Sequence, residues 1–352
     1  MADAAPILIG VLHDHSGGVV LDTLERCVEL AFDEVARDGR IDRPLELVHE
    51  TGDGLPRGTA HAVEQAFAAL DDRGVLAVIG PAISDNGLVV RDLADAFGLP
   101  TLNYTGSEDT RGHYGFHYQL GSLEEEPYVL ARHLVGRGLR SVALVHDASP
   151  IGRRYTSYFD EACATFGIEQ LGRTVVSPLT EDLRTPARTV TATGADAIVY
   201  LGLGLAARAL GIGLADAGNR LPVVANSALM FGYANPEWTA GWNGWVYCDT
   251  VSSTNAELQR VADALGLDAA AMNPGVPCNY DMGRLLAEGI ARAPLLNRDG
   301  VVEGLERVKM LPAASGRDGT TMGFGRFERS ALKGSYLVLH EWRDGTSVEV
   351  PV

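Results

Sequence analysis

Hydrophobic residues along this chain switch repeatedly between short unbroken runs and spacings of three to four. Residues 7–12 (ILIGVL) form such a run and predict a buried strand. Over 21–38, Leu24, Cys27, Val28, Ala31, Phe32 and Val35 share one helical face, so an amphipathic helix should pack on the sheet. A second strand over 45–54 and a helix over 60–73 follow. The run 75–80 (VLAVIG) has no helical period and stops at Gly80-Pro81, as a parallel strand opening into a turn does. Ser84 or Asp85 is placed to cap a helix over 86–97, with Leu88, Val89, Leu93, Ala96 and Phe97 on its apolar face and Gly98 at its end. Residues 100–102 then predict a strand that runs into Asn103, Tyr104, Thr105, Gly106 and Ser107.

The same alternation recurs further on. A helix is expected over 124–138, a strand over 141–147, a helix over 152–166 and the strand GRTVVSP, then strands over 195–204, 221–227 and 244–253. Helices over 255–265 and from 277 to about 293 precede a closing hairpin, with Phe327 ahead of a strand over 335–342 and Asp344-Gly345 as its turn. Strands alternating with helices predict α/β units with parallel sheets, here as two similar halves.

Ligands of open α/β sheets sit outside the carboxyl ends of the strands, and a helix amino end offers free N–H groups to an anion. Ser84 and the turn at Asn103, Tyr104, Thr105 and Ser107 therefore form a candidate anion cradle, which reads equally well as ordinary helix capping. His13 and Asp14, at the end of the first strand, are candidate ligand contacts. His13-Asp14-His15 is not read as a metal site, because alternating residues point apart and no third ligand cluster is visible.

Composition narrows the picture. With 352 residues the chain exceeds one compact core and suits two lobes. A net charge of −17 argues against nucleic acid or an anionic membrane as partner and requires any bound anion to be held locally. Cys27, Cys163, Cys248 and Cys278 are far apart without a CxxC, so neither zinc nor a redox pair is suggested, while disulfides stay open. No apolar run is long enough to span a membrane. The start, MADAAP, has neither basic residues nor an apolar core, so no signal peptide is expected; the chain is then cytoplasmic, or starts at the mature end of an exported, extracytoplasmic protein.

The order of an apolar strand into Gly80-Pro81, a capped helix, then Gly98-Leu99-Pro100-Thr101 and a Ser/Thr-rich turn resembles the first lobe of the type I periplasmic binding proteins. More narrowly it resembles the Leu/Ile/Val-binding-like branch, which binds branched-chain amino acids and amides and serves ABC importers. That resemblance covers nearly the whole chain and implies two Rossmann-like lobes with parallel sheets, joined by a three-segment hinge that closes on a ligand. The crossings would fall at 120–122, 247–253 and 323–329, giving one lobe of 1–121 plus 251–325 and another of 122–250 plus 326–352. It implies that Ser84 and the turn Thr105 to Ser107 hold a ligand carboxylate. A Ser-Gly turn at Ser16-Gly17 would border the cleft, and Asp53 falls near an acidic position of the family. Ile151 stands where amino acid binders tend to have Tyr. Leu203 and Gly204 fall at an aromatic or backbone contact, and Tyr280 in Tyr280-Asp281-Met282 falls beside the ligand or in the core. In the amino acid binders an acid pairs with the ligand ammonium where this chain has Asn226, Ser227 and Ala228. A carboxylate with an apolar or aromatic body, or an amide, is therefore expected to fit better than a free amino acid.

No GxSxG, HExxH or P-loop pattern is present, so an enzyme is not expected. Gly202-Leu203-Gly204 fails as a dinucleotide fingerprint, since the next strand ends in Asn226-Ser227 and not in an acid. Neither a cofactor nor a metal is expected. The expected partners are a small-molecule ligand and, if the protein is exported, an ABC transporter permease. A cytosolic small-molecule sensor on the same fold shares every one of these features.

Overall fold

The computed structural model describes residues 5–15, 21–268 and 272–351. The chain forms β1 (Ile7–His13), α1 (Leu21–Arg37), β2 (Leu45–Thr51), α2 (Ala60–Asp72), β3 (Ala77–Ile79), α3 (Ser84–Phe97), β4 (Thr101–Asn103) and β5 (Gly115–His117). It continues through α4 (Glu126–Gly136), β6 (Ser141–Asp147), α5 (Pro150–Phe166), β7 (Glu169–Val176), α6 (Arg184–Thr191), β8 (Ala197–Leu201), α7 (Ala207–Asp216), β9 (Val223–Ala225), α8 (Phe231–Ala234) and β10 (Val246–Asp249). Then come α9 (Ala256–Leu265), α10 (Gly275–Arg292), α11 (Arg298–Glu306), β11 (Leu311–Pro312), β12 (Thr321–Met322) and β13 (Leu332–Lys333), and the hairpin β14 (Val338–Arg343) and β15 (Thr346–Val350) closes the chain.

Two compact units result, one of residues 1–120 and 250–336, the other of 121–249 and 337–352. The segment 323–329, expected as a crossing, lies inside the first unit, where the Arg329 carbonyl accepts the His117 N–H at 2.8 Å and the Ala331 N–H reaches the His117 carbonyl at 2.8 Å.

In the first unit the parallel sheet has the order β2-β1-β3-β4-β5. β1 is apolar and almost wholly buried because it is central, with β2 and β3 as neighbours. One face carries α2 and α3 over a core of Val63, Phe67, Leu70, Val78 and Val90. α1 and α10 pack together, and Cys27, Ala31, Val261, Val276 and Tyr280 fill a second cluster. The second unit repeats the order as β7-β6-β8-β9-β10 and extends it by antiparallel β14 and β15. Its core gathers Trp242, Trp245 and Trp342 around Tyr200, Tyr247 and Leu210.

Both sheets thus have one place where the chain winds off in opposite directions from neighbouring parallel strands: β1 beside β3, and β6 beside β8. In this strand order, that is where a crevice opens. α6 and α11 were not legible in the sequence. α6 is eight residues long, with Ala187 and Val190 as its buried residues, too few for a periodic signal. The four cysteines are free and buried, and burial pushes the Cys27 thiol up to about 12 and that of Cys163 to about 11, which makes them packing residues.

Candidate ligand-binding loops at the strand ends

In the first unit, Asp14 follows β1 directly and is fully buried. Its carboxylate accepts the Ala82 and Ile83 N–H groups at 2.9 Å each and the Asn86 side-chain amide at 2.8 Å. These N–H groups sit at the amino end of α3, so the anion expected there is supplied by the protein itself. This also corrects the expected cap. The N-cap residue is Ile83, without a side-chain cap bond, and Ser84 is already the first helical residue. Asp14 takes over the capping from outside the helix, so it is framework before it can be a ligand contact.

Gly80 makes this approach possible. Its φ of +109° belongs to glycine, and a Cβ there would lie 2.4 Å from the Leu12 carbonyl oxygen. His13 also has an internal partner. Its Nε2 lies 2.9 Å from His49 Nδ1 with the rings stacked, and burial, followed by the neighbouring His49 and His15, lowers its pKa. Ser16 and Gly17 lie outside the described residues.

The turn after β4 separates the expected cradle into two kinds of residue. Asn103 is buried, with its amide donating to the Phe116 carbonyl at 3.0 Å and its Oδ1 accepting the Thr105 hydroxyl at 3.0 Å. Thr105 is fully buried, 2.9 Å from the Thr110 hydroxyl, and its carbonyl meets His117 Nε2 at 2.8 Å. Both hold the turn together. The Ser107 hydroxyl accepts the Asp109 N–H and starts a short 3-10 turn. Tyr104 is half-buried, and burial, then the charge of Asp14, raises its phenol pKa.

Ser84 is the group with capacity left. Its Oγ accepts the Gly106 N–H at 3.2 Å, which ties α3 to the turn after β4. Neither its hydroxyl proton nor its backbone N–H has a partner among the described residues.

In the second unit the corresponding carboxylate is Asp147, the buried last residue of β6. It accepts the Leu203 N–H at 2.6 Å and the Ser149 hydroxyl and N–H. Burial raises its pKa and the hydrogen bonds partly offset this. Gly202 leaves room for it, since a Cβ there would lie 2.2 Å from Asp147 Oδ2. Ser149 caps α5 by accepting the Gly152 N–H at 2.9 Å. Ile151 lies in the first turn of that helix and is 6% exposed, so it belongs to the core more than to a binding surface. Leu203 is half-exposed, held by its backbone.

Asn226 differs from expectation. Its amide closes on both backbone groups of Gly202, accepting the N–H at 3.2 Å and donating to the carbonyl at 2.9 Å, so it braces the loop after β8. Ser227 meets an acid that sequence reading missed. The fully buried Glu126 accepts the Ser227 N–H at 2.6 Å and hydroxyl at 2.8 Å, the Ser122 N–H at 2.6 Å and the Tyr155 hydroxyl at 2.9 Å. Burial pushes its pKa up to about 7, against the pull of these four donors. Glu124 and Glu125, its neighbours in sequence, are less buried, and nothing in the run of three acids singles out the third. Asp147 did leave a signal: VLHD at 11–14 is matched by LVHD at 144–147, a short internal repeat that marks both aspartates.

Tyr280 is not part of these loops. It is fully buried on α10, donates to Glu34 at 2.7 Å, and joins an ion network with Arg260 and Arg284. Its neighbour Asp281 is the organising residue there. It is fully buried and accepts the Ala314 and Ser315 N–H groups and the Tyr118 hydroxyl, and burial pushes its pKa up to about 7. Among the described residues no group of His, Cys, Asp and Glu could hold a metal ion, and no helix is long and apolar enough to cross a membrane.

Two doubly wound sheets, each with polar loops at its strand ends, define a two-unit α/β fold class. A profile described as periplasmic binding protein matches residues 6–332, and the chain belongs to that family. Among solved structures it is similar to a type 1 periplasmic binding protein from Bordetella pertussis Tohama I, at TM-score 0.81 and 19% identity over 99% of this chain and 100% of that one. It is equally similar, at TM-score 0.81 and 17% identity over 98% and 100%, to the branched-chain amino acid transporter substrate binding protein LivJ from Streptococcus pneumoniae, solved in complex with isoleucine. An ABC transporter substrate-binding protein from Desulfitobacterium hafniense in complex with Leu gives TM-score 0.77 and 21% identity over 98% and 100%. At such identities the likeness is one of fold. No curated protein matches the chain significantly.

Proposed function

We propose that this protein is a non-enzymatic solute-binding subunit that takes up a small organic ligand at its strand-end loops and presents it to an ABC importer outside the cytoplasm. Its family supports binding and transport. The observation that carries the site is Ser84, a 4%-exposed residue whose hydroxyl proton and N–H are unassigned among the described residues at the amino end of α3. Together with Ser107 it suits one end of a carboxylate or another acceptor. The rest of the ligand is apolar or aromatic, or an amide, because the acid that meets Ser227, Glu126, makes its hydrogen bonds within the second unit.

Matched ligand pairs test this. Thermal shift is measured with leucine, valine and phenylalanine against their 2-oxo or deaminated analogues. The analogues should stabilise the protein, by about 2.7 kcal/mol at a hundred times the dissociation constant, and the amino acids should not. Ser84→Ala should weaken the productive ligand about tenfold or more, since a hydrogen bond to a charged group contributes roughly 1.5 to 3 kcal/mol. Stabilisation by the amino acids alone would turn the ligand class around and make Glu126 the ammonium partner.

A further inference from the structure

The second unit has a cavity of about 880 Å³ at the end of its sheet opposite Asn226 and Ser227. It opens at Val223 and Val246, the first residues of β9 and β10, where the carboxyl end of α4 and one side of α7 leave a gap. The size falls within the roughly 300 to 1,000 Å³ typical of small-molecule pockets. Its walls combine two chemistries. Leu214, Leu221, Trp245 and Val350 supply hydrocarbon, and Arg137, Arg220 and Arg343 stand around them.

Three arginines around one opening make a local positive patch on a chain of net charge −17. Arg343 is paired with Glu341 at 2.7 Å, whereas Arg137 and Arg220 have no carboxylate partner among the described residues. Arg137 follows the last turn of α4, where a cation also complements the helix dipole; Arg220 has no such local reason. His133 lines the same cavity. It is 8% exposed, its Nε2 is buried without a hydrogen-bond partner, and burial, followed by Arg137, lowers its pKa.

We infer that this cavity is a second binding site, for an organic anion with an apolar body, such as an aryl carboxylate or sulfonate. The anionic end meets Arg137 and Arg220, and the body lies along Leu221 and Trp245. Inorganic sulfate lacks the body and an aryl alcohol lacks the charge, so each should bind far more weakly. The site is independent of the strand-end loops and of the ligand they take.

Gly136 supplies the discriminating variant. It lines the cavity, is exposed at the last position of α4, and a Cβ placed on it meets nothing within 4 Å, so a large side chain at the rim leaves the fold undisturbed. Naphthalene-1-sulfonate is titrated into the full chain while the His133 imidazole resonances are followed by NMR. The expected result is a saturable shift at sub-millimolar to millimolar concentration, with sodium sulfate and naphthalene-methanol at least tenfold weaker. Gly136→Phe should abolish the shift, and Arg220→Glu, a surface change that keeps the fold, should weaken binding at least tenfold. A shift that does not saturate, or one unchanged in both Gly136→Phe and Arg220→Glu, would overturn the site. Equal affinity for the sulfonate and the alcohol would overturn its anion preference.

Discussion

Asp14 and Asp147 answer the same topological problem in two ways. Each stands at the carboxyl end of the central strand at its sheet's crevice, and each accepts N–H groups from the loop after the next parallel strand. In the first unit the carboxylate takes two backbone N–H groups and the Asn86 amide, all from one helix start. In the second it divides itself between Leu203 and Ser149, so it also sets the start of α5. A glycine lies beside each, but Gly80 faces a backbone carbonyl whereas Gly202 faces the aspartate side chain. The crevice at which open α/β sheets bind their ligands is thus partly filled by the protein's own anion in both units. What the first unit keeps unassigned is Ser84, one helical position past the N–H groups that Asp14 uses.

The comparison can be broken at the glycines first. Gly80→Ala puts a Cβ against backbone at a φ that side chains rarely adopt, and should cost about 4 kcal/mol or more in urea unfolding. Gly202→Ala meets an atom that can shift and should cost about half that. Equal losses would mean that the two crevices are equally rigid.

The aspartates come next. Asp14→Ala leaves two N–H groups and an amide without their acceptor and should destabilise by about 3 kcal/mol, against about 2 kcal/mol for Asp147→Ala. A larger loss at Asp147, measured by the same unfolding, would reverse the ranking of the two arrangements.

The smallest expected effect is on pH dependence, where each unit has one buried acid raised to about 7, Asp281 in the first and Glu126 in the second. A carboxyl whose folded pKa lies above its unfolded value near 4 binds its proton more tightly when folded. The stability such a group contributes is therefore fully present below its unfolded value and falls as pH rises toward 7. Each acid should account for about 2 kcal/mol between pH 5 and pH 7. Glu126→Gln should remove one half of that slope and Asp281→Asn the other. An unchanged slope in Glu126→Gln would mean that its four donors hold the carboxylate charged throughout.

Much of the fold was legible because its signals are local. The runs ILIGVL and SVALVHD can hardly be anything but central strands, and α1 shows its buried face in Cys27, Val28, Ala31 and Val35. Polar residues of the strand-end loops were legible as residues, but not their hydrogen-bond partners. Ser84 falls at the expected loop, but the residues that looked most like ligand donors, Asn103, Thr105 and Asn226, spend their hydrogen bonds within the protein. Tyr280 and Asp281 are both fully buried, Tyr280 in an ion network and Asp281 accepting the Ala314 and Ser315 N–H groups.

The sequence by itself determined the order of strands and helices, the two-fold repetition of the α/β pattern and the loops in which polar side chains concentrate, since periodicity and turn residues act over a few positions. Which of those polar groups have capacity left for a ligand was decided only by tertiary structure. A hydrogen-bond donor is used up by whatever acceptor the fold brings to it. Asp14 reaches Ile83 across 69 positions and Glu126 reaches Ser227 across 101, pairings that no local pattern encodes.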